Sequence, residues 1–340
     1  MTDSKIKTIL SGIQPTGNLH LGNYLGAIKR WVNLYNSSRC LFCVVDLHAL
    51  TTWPKLGDLS NTTREVVAGM IAAGISPKES TIFIQSHVPE HAELAWVLSC
   101  VARIGWLNRM TQFKDKAGKN REQVSSGLMV YPNLMAADIL LYKATHVPTG
   151  EDQKQHIELT RDIAQKFNLD TGVEVFPLPE PIIHGPGTRV MSLRDGKKKM
   201  SKSDISDMTR LNLIDSDDLI KDKIKKAKTD SGDFPSNRED LDLRPEIKNL
   251  INIYSALSGN EIELILERFS ALRFSDFKNE LTDILISEIS PIRKVMSELL
   301  NDPKELDKVI FNGADKASAI ARPVLSEVYD AIGLNKRIQL

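Results

Sequence analysis

Residues 8–23 read Thr8-Ile9-Leu10-Ser11-Gly12-Ile13-Gln14-Pro15-Thr16-Gly17-Asn18-Leu19-His20-Leu21-Gly22-Asn23, an apolar run followed by a polar loop and the start of a helical pattern. The apolar run predicts a buried strand, and Gly12 and Gly17 permit tight turns and close approach of the backbone to a ligand. Gly22-Asn23 lies at the expected helix start, where free N–H groups and the helix dipole attract phosphate. The segment therefore predicts a strand–loop–helix unit with a phosphate site at the start of its helix.

The same alternation of strands and helices continues through the first half of the chain. Strands are predicted at 40–45 and 81–85, and helices at 22–34, 58–73 and 91–103. Alternation of this kind is typical of parallel pairing in a doubly wound α/β sheet. We therefore predict a Rossmann-like catalytic domain, in which ligands bind at the carboxyl ends of the strands.

The second half has a different character. Prolines and glycines interrupt regular structure after Phe176, and a lysine-rich stretch follows them. Beyond Leu213 the pattern is nearly all helical, with helices predicted near 216–228, 244–257, 259–270, 274–300 and 315–331. We predict a Rossmann-like domain over 1–200 and an α-helical domain over 201–340, with the boundary near 190–210. Whether the last helices pack back on the first domain stays open.

Composition and charge exclude several classes of protein. The 340 residues carry 44 basic and 44 acidic side chains, so the formal net charge is zero, which argues against a wholly electrostatic nucleic-acid binder. No apolar run approaches the roughly 20 residues that span a bilayer. Residues 1–7 lack the apolar core of a signal peptide and enter a strand pattern at once. We expect a cytoplasmic protein with no membrane segment.

The chain has three cysteines, Cys40, Cys43 and Cys100, a count that fits a reducing compartment without a disulfide framework. Cys40 and Cys43 have the C-x-x-C spacing of redox and zinc sites. They lie in a predicted strand, however, where residues three apart point to opposite faces. We therefore interpret both as core residues, and we expect no structural metal site.

A second candidate for phosphate binding lies far downstream, at Lys199-Met200-Ser201-Lys202-Ser203. Lys199 and Lys202 would neutralise charge that builds on a leaving pyrophosphate, and the two serines add hydroxyl donors. Such a flexible basic segment can close over a triphosphate. The alternative interpretation is a solvated basic loop or a weak nucleic-acid patch.

In the first motif, His20 can donate a hydrogen bond to a phosphate oxygen. The alternative interpretation of His20 is a histidine that only caps the helix.

The motifs His20-Leu21-Gly22-Asn23 and 199–203, in this order, resemble the two signatures of class I aminoacyl-tRNA synthetases. The chain is also similar to the bacterial-type tryptophanyl-tRNA synthetase family in the stretches 11–15, 45–51, 110–114, 131–142 and 150–156. Two positions depart from what we expect of that family. Leu10 stands where an aromatic residue would stack near the indole, and His20 stands where many members carry threonine. The second departure restores the broader class I pattern.

The resemblance implies roles for individual residues. Those implied to act in catalysis are His20, Asn23, Lys199 and Lys202. The implied ATP site consists of Gln14, Pro15, Thr16, Gly22, Asn23, Lys116, Gly150, Glu151, Asp152, Val190, Lys199, Met200, Ser201, Lys202 and Ser203. The implied tryptophan site consists of Leu10, His48, Tyr131, Met135, Asp138 and Gln153. From the residues alone, Glu151 in a helix predicted over 150–166 reads equally well as a helix cap.

The predicted helix at 131–142 carries the strongest argument about specificity. Pro132 suits a first helical turn, and one face of the helix would then carry Tyr131, Met135, Asp138 and Tyr142. A carboxylate among apolar neighbours is costly to bury unless it is hydrogen-bonded. The resemblance supplies the indole N–H of tryptophan as its partner and implies that substrates without such a donor are rejected without an editing site. A structural ion pair with a basic neighbour is the alternative.

The activity implied by the resemblance has two steps. ATP and L-tryptophan form tryptophanyl-adenylate and pyrophosphate, and the amino acid then passes to tRNA(Trp). Mg²⁺ is expected to accompany ATP, held by phosphate oxygens and water. A homodimer is implied, with one tRNA bridging two subunits. The helical domain is expected to contact tRNA, and it carries a basic run whose alternative is a solvated helix face. The run consists of Lys221, Lys223, Lys225, Lys226 and Lys228.

Three other functions stay open at this point. A tyrosine-specific relative is less consistent with the lysine motif and with the block at 150–156. A catalytically silent paralogue that binds RNA or nucleotide is less consistent with two intact motifs. A different nucleotidyltransferase, which would join ATP to another small acid, is less consistent with a helical domain of tRNA-binding size.

Overall fold

A five-stranded parallel sheet forms the centre of the described structure. The computed structural model describes residues 7–32, 34, 38–52, 58–117, 124–150, 153–183, 189–202 and 204–335. The strands are β1 (Lys7–Ile13), β2 (Ser38–Val44), β3 (Thr81–Ile84), β4 (His146–Thr149) and β5 (Glu180–Ile183), in the order β3-β2-β1-β4-β5. Every adjacent pair is parallel, and Leu10 of β1 is in register with Leu41 of β2. The predicted doubly wound α/β fold is confirmed.

Helices cover both faces of the sheet and make up most of the second half of the chain. Those of the first half are α1 (Leu21–Asn23), α2 (Lys29–Trp31), α3 (Asp46–Ala49), α4 (Leu59–Ala72), α5 (Glu90–Val101), α6 (Ile104–Leu107), α7 (Thr111–Ala117), α8 (Ser126–Leu140) and α9 (Lys154–Thr171). Those of the second half are α10 (Asp217–Lys225), α11 (Arg238–Asp242), α12 (Pro245–Ser258), α13 (Ile262–Phe269), α14 (Phe274–Asn301) and α15 (Pro303–Ile332).

The helical segment after β1 has an unusual local structure. It begins at Leu21, one residue before the predicted start, but Tyr24–Ile28 forms a π-helix between α1 and α2. Such π turns are frequent at functional sites. The hydroxyl of Tyr24 donates to the carboxylate of Glu288 in α14 at 2.6 Å, so the π turn is tied to a C-terminal helix. Regular helical geometry is therefore interrupted directly after the His20 motif.

Side chains of β1 and β2 alternate between two hydrophobic cores, one on each face of the sheet. Ile9 and Cys40 lie in the first core, whereas Leu10, Leu41 and Cys43 lie in the second. The predicted opposite orientation of Cys40 and Cys43 is confirmed, and both thiols are buried and free. Burial raises the pKa of the Cys40 thiol to about 11, which keeps it protonated at neutral pH.

Local signals predicted some boundaries correctly and others incorrectly. Asp58 caps α4 as expected. Pro132, however, does not lie in a first turn, because α8 begins at Ser126. The proline-rich stretch contains β5, whose Pro181 is tolerated because β5 lies beside β4 at the edge of the described sheet. The last helix begins at Pro303, well before its predicted start.

The C-terminal helices pack against the sheet and its covering helices. Contacts join α14 to α4, and α15 to β3 and α5. A Cβ atom added to Gly313 of α15 would lie 1.7 Å from the carbonyl oxygen of Ile82, so only glycine permits this close approach. The first core contains residues from both predicted domains, such as Ile9 and Leu285. Buried side chains on both sides of the predicted boundary thus share one core. A shared core does not separate two domains, so the boundary near 190–210 stays a prediction.

Candidate active site

The loop after β1 is organised around His20. The imidazole Nδ1 accepts from the backbone N–H of Asn23 at 3.3 Å, and the side-chain oxygen of Asn23 accepts from the backbone N–H of His20 at 3.2 Å. This reciprocal pair caps α1. Because Nδ1 accepts, the proton of neutral His20 lies on Nε2 and can be donated elsewhere. The capping interpretation is therefore correct, and it leaves a donor for the predicted phosphate contact.

The protonation state of His20 follows from its surroundings. Burial, together with the positive charges of Lys202, Arg210 and Lys199, lowers the pKa of His20 to about 3. The imidazole is therefore neutral over the physiological range and acts as a hydrogen-bond donor rather than as a charge. Positive charge in this site comes from the three cations around it.

Glycine at position 22 leaves room for the imidazole. A Cβ atom added to Gly22 would lie 3.0 Å from Cε1 and Nδ1 of His20 and 3.6 Å from the Cβ of Val190. The first contact is tighter than packed side chains normally allow, so a larger residue would move the ring. The same geometry shows that Val190, predicted for the ATP site, lies beside the His20 motif.

The start of the second motif belongs to a paired hairpin, whereas we expected the motif to lie in a flexible segment. Met191 bridges Lys199, and the N–H of Met200 donates to the carbonyl of Val190 at 3.1 Å. The side chain of Met200 is buried in the first core. Asn249 of α12 donates to the carbonyl of Met191 and accepts from its N–H, which fixes the hairpin against the helical region. Lys199 and Lys202 therefore extend from an anchored base.

The two phosphate-binding candidates meet in the folded chain. The Nζ of Lys202 donates to the carbonyl oxygen of Gln14 at 3.3 Å, across 188 positions of sequence. Burial lowers the pKa of Lys202 to about 8, against the opposing charge of Glu65. Pro15 and Thr16 follow Gln14 in the same loop, and Ser203 lies outside the described residues. The structure thus brings together the segments that carry most of the predicted ATP site.

The carboxylate of Asp138 is buried and fully ionised. Its Oδ2 accepts from Nε2 of His48 at 2.8 Å, and its Oδ1 accepts from Nε2 of Gln85 and Nδ1 of His91, each at 2.6 Å. Burial alone would raise the pKa of Asp138, but the hydrogen bonds from His48 and His91 outweigh it and lower the pKa to about 2. Since an ionised carboxylate only accepts, both histidines must donate to it.

Part of this cluster was not predicted. Gln85 and His91 were assigned to a strand and to a helix without a role, yet both bind Asp138, and Nε2 of His91 accepts from the hydroxyl of Tyr142 at 2.7 Å. One signal was present in the sequence. His91 lies three residues before Leu94 on the apolar face of α5, and a polar side chain on such a face needs a buried partner.

The acceptor capacity of Asp138 is not exhausted. A carboxylate offers about four lone-pair positions, and in the described residues three are taken, two on Oδ1 and one on Oδ2. The alternative interpretation holds only in that basic side chains contact the group: His48 and His91 hold it by hydrogen bonds. Oδ2 therefore has one lone pair without a donor among the described residues, which is the acceptor capacity that the predicted indole N–H requires.

The other residues predicted for the tryptophan site are distributed around the same face of the sheet. Leu10 is 4% exposed and lies in the second core, against which Tyr131 and Met135 pack half-buried. The hydroxyl of Tyr131 is hydrogen-bonded to Nε2 of His156 at 2.7 Å, so it is engaged with α9. Leu10 is therefore fully packed among core residues, and its place beside the indole stays a prediction.

The predicted ribose-binding turn is described only in part. The N–H of Gln153, at the start of α9, donates to the carbonyl of Gly150 at 3.0 Å, and α9 begins at Lys154. Glu151 and Asp152 lie outside the described residues, so the alternative of a cap at Glu151 stays open. The backbone of Lys116 belongs to α7, but its side chain is also outside the described set.

The basic run on α10 is not a single exposed surface. Lys223 is completely buried and forms ion pairs with Asp207 and Asp215, each at 2.6 Å. Lys226 and Lys228 are exposed and paired with carboxylates at 2.9 Å. Both interpretations offered for the run are therefore wrong for Lys223, because a buried lysine can neither contact RNA nor lie on a solvated face.

In the described residues, no helix is long and apolar enough to cross a membrane. No group of three or more histidine, cysteine, aspartate or glutamate side chains in the same residues could hold a metal ion. The two histidines at Asp138 are used as hydrogen-bond donors to its carboxylate.

A family model for class I tRNA synthetases of the W and Y type matches residues 3–289. The chain belongs to this family. The Tryptophan--tRNA ligase of Brucella melitensis is 56% identical to this class I synthetase over 344 residues, covering 96% of the chain and 97% of the relative. That of Rickettsia conorii is 54% identical over 327 residues, with coverages of 96% and 98%.

Solved structures of the same family agree with the fold of this class I synthetase. The tryptophanyl-tRNA synthetase from Mycoplasma pneumoniae superimposes with a TM-score of 0.85 at 32% identity, covering 97% of this chain and 99% of that one. The enzyme from Campylobacter jejuni, complexed with ADP and tryptophan, superimposes with a TM-score of 0.81 at 33% identity, with coverages of 96% and 100%.

Proposed function

We propose that the chain is a tryptophan–tRNA ligase that forms tryptophanyl-adenylate from L-tryptophan and ATP and then charges tRNA(Trp). The observation that carries the proposal is the contact between Lys202 and the carbonyl of Gln14, which sets the second motif against the loop after β1. Asp138, on the second core's side of the same sheet, supplies an ionised acceptor for a substrate N–H. The names of relatives at 52–56% identity over nearly the whole chain support tryptophan over tyrosine.

In the first step, the carboxylate of tryptophan attacks the α-phosphorus of ATP and pyrophosphate leaves. His20 donates from Nε2 to a phosphate oxygen, while Lys199 and Lys202 offset the negative charge that grows on pyrophosphate. Asp138 accepts from the indole N–H and fixes the orientation of the side chain. The protein mainly positions its reactants, an effect that contributes up to about 7–11 kcal/mol in well-oriented systems. Mg²⁺ bound with ATP would supply further neutralisation of the phosphates through phosphate oxygens and water.

In the second step, the terminal ribose hydroxyl of tRNA attacks the activated carbonyl. The C-terminal helices are proposed to hold the tRNA. Lys221 and Lys225 of α10 remain candidates for phosphate contacts, since both are exposed, whereas Lys223 is removed from that set. Lys221, Lys226 and Lys228 are each paired with a carboxylate but exposed, and could exchange these partners for phosphate.

Two further properties belong to the proposal. Trp96 of α5 and Ile104 of α6 are 73% and 68% exposed and lie eight positions apart, so they are candidates for a shared apolar patch, the kind of surface that favours a protein interface. We assign this surface to the homodimer. The cytoplasm is the proposed location, since the three cysteines are free and the substrates are those of protein synthesis.

ATP–pyrophosphate exchange with each of the twenty amino acids tests the first step. Exchange should be strongest with tryptophan, and the Lys202→Ala enzyme, which keeps the Asp138 cluster, should lose rate without changing this preference. Strongest exchange with tyrosine would support the tyrosine-specific alternative, and no exchange with any amino acid would support a silent paralogue. Charging of tRNA(Trp) then separates a ligase from another nucleotidyltransferase.

A further inference from the structure

The segment at 204–215 follows the second motif and returns the chain to His20. It lies antiparallel to the His20 loop: the N–H of Leu21 donates to the carbonyl of Leu211 at 2.8 Å, and the N–H of Leu213 donates to the carbonyl of Leu19 at 2.9 Å. The residue opposite His20 is Asn212. The 204–215 segment therefore holds the backbone of the His20 loop by hydrogen bonds. None of the sequence motifs predicted this pairing.

Two carboxylates hold the 204–215 segment in its curved shape. Asp215 accepts from the backbone N–H of Asn212 at 2.9 Å and from its side-chain amide at 3.2 Å. The same amide donates to Asp207 at 2.9 Å. Each carboxylate also binds the Nζ of Lys223, at 2.6 Å. The ammonium group of Lys223 thus links Asp207, which precedes Asn212, to Asp215, which follows it.

Within the described residues, the carboxylates of Asp207 and Asp215 are the ion-pair partners of Lys223. Its side chain is 0% exposed, so it contacts neither solvent nor RNA, and a buried ammonium is stable only with charged partners. Asp215 is itself 4% exposed, and its carbonyl accepts from Arg293 of α14. Removing the lysine would leave a buried carboxylate without its cation at the point where α10, α14 and the 204–215 segment meet.

The segment is also tied to the end of the second motif. One guanidinium nitrogen of Arg210 donates to the carbonyl of Asp204 at 3.0 Å, and the other pairs with Asp207 at 3.0 Å. Asp204 is two positions after Lys202. The carboxylate of Asp207 therefore pairs with both Lys223 and Arg210. Through Arg210 it is linked to the chain just after the lysine motif, and through Asn212 it is linked to the backbone that pairs with the His20 loop.

We propose that Lys223 and Asp207 are positioning residues for adenylate formation: they hold the 204–215 segment so that His20 and Lys202 face the same triphosphate. The inference rests on the proposed function, since it concerns the ATP-dependent step. Neither residue is placed in contact with substrate. Lys223 and Asp207 instead fix the position of His20 relative to Lys202. A displacement of 1 Å between such groups can lower the rate by about 100-fold.

The test compares Asp207→Asn and Lys223→Met with wild type in ATP–pyrophosphate exchange, which needs no tRNA and so excludes effects of RNA binding. Both variants should lose about 10-fold or more in kcat, with the KM for tryptophan within twofold of wild type, because the Asp138 cluster lies in the second core. Lys308→Met, which removes an exposed ion pair with Glu305 in α15, is the matched control and should leave kcat unchanged.

A double variant separates positioning from general destabilisation. If Asp207 acts through the two phosphate-binding groups, its effect should shrink in a His20→Ala background, so the combined loss should be smaller than the product of the single losses. Multiplicative losses, or a folded Asp207→Asn enzyme with wild-type kcat, would overturn the proposal. If Lys223→Met does not fold, Asp207→Asn decides, since its half-exposed carboxylate is replaced by an isosteric amide. Failure of wild type to exchange with tryptophan would refute the proposed function instead.

Discussion

Replacement of Asp138 by asparagine isolates the proposed bond to the indole. The oxygen of the new amide can still accept from Gln85 and His91, and the tautomer of His48 without a proton on Nε2 can accept from the amide N–H. The buried cluster therefore stays hydrogen-bonded and the fold should survive. In the variant, Nδ2 takes the place of Oδ2. Its second hydrogen would point toward the indole N–H, where the wild type has a lone pair, so two donors would face each other.

The magnitude follows from the charge on the acceptor. A hydrogen bond to a charged group contributes about 1.5–3 kcal/mol, and each 1.36 kcal/mol corresponds to about a tenfold change in rate. Asp138→Asn should therefore lower kcat/KM for tryptophan by about 13-fold to 160-fold. The assay is ATP–pyrophosphate exchange at varied tryptophan concentration, with thermal unfolding to verify the fold.

An analogue in which sulfur replaces the indole N–H provides the decisive comparison. The wild-type enzyme should prefer tryptophan over this benzothiophene analogue, whereas Asp138→Asn should treat the two nearly alike. Asp170→Asn, an exposed carboxylate change on α9, should preserve the wild-type preference. If the Asp138 variant folds and discriminates as strongly as wild type, Asp138 serves only the structural cluster with its histidines.

Three further outcomes are expected. Since Lys202 has a pKa of about 8 in the free enzyme, kcat/KM for ATP should fall as pH rises through 8. Lys202→Arg should remove this fall, because arginine stays charged. An identical pH profile in both enzymes would contradict a role for the Lys202 ammonium. Gly22→Ala places a Cβ 3.0 Å from the imidazole of His20 and should lower kcat by about 10-fold to 100-fold with little change in the KM for tryptophan, measured by exchange. Trp96→Glu with Ile104→Glu should shift the protein to monomers in analytical ultracentrifugation, and an unchanged sedimentation coefficient would move the interface elsewhere.

The elements that sequence predicted well are those with strong local signals. The helix predicted over 58–73 is observed as α4, because the cap at Asp58 and the positive φ of Gly74 act over a few residues. The strands at Cys40 and Thr81 also lie where apolar runs predicted them. By contrast, β5 was missed because Pro181 is a poor strand residue except at an edge, and an edge exists only once the strand order is known.

The candidate site shows the same division. His20 and Lys202 were recognisable in short motifs, and the contact of Lys202 with Gln14, in the loop that leads to His20, agrees with the shared ATP site that the resemblance implies. Gln85 and His91 were not recognised, because each binds a carboxylate that lies 53 or 47 positions away. Such partners are selected by which strand ends and helix faces are adjacent.

The sequence by itself determined the α/β class, the two phosphate-binding motifs and the burial of a carboxylate at Asp138, since these follow from periodicity, glycine placement and charge in apolar surroundings. Only the tertiary structure decided how Asp138 is held, which nitrogen of His20 keeps its proton, and that Lys223 is an internal ion-pair partner rather than part of a basic surface. The physical reason is that burial and pairing of a charged group depend on neighbours brought from distant parts of the chain. A run of lysines has the same sequence whether its members face solvent or a pair of buried carboxylates.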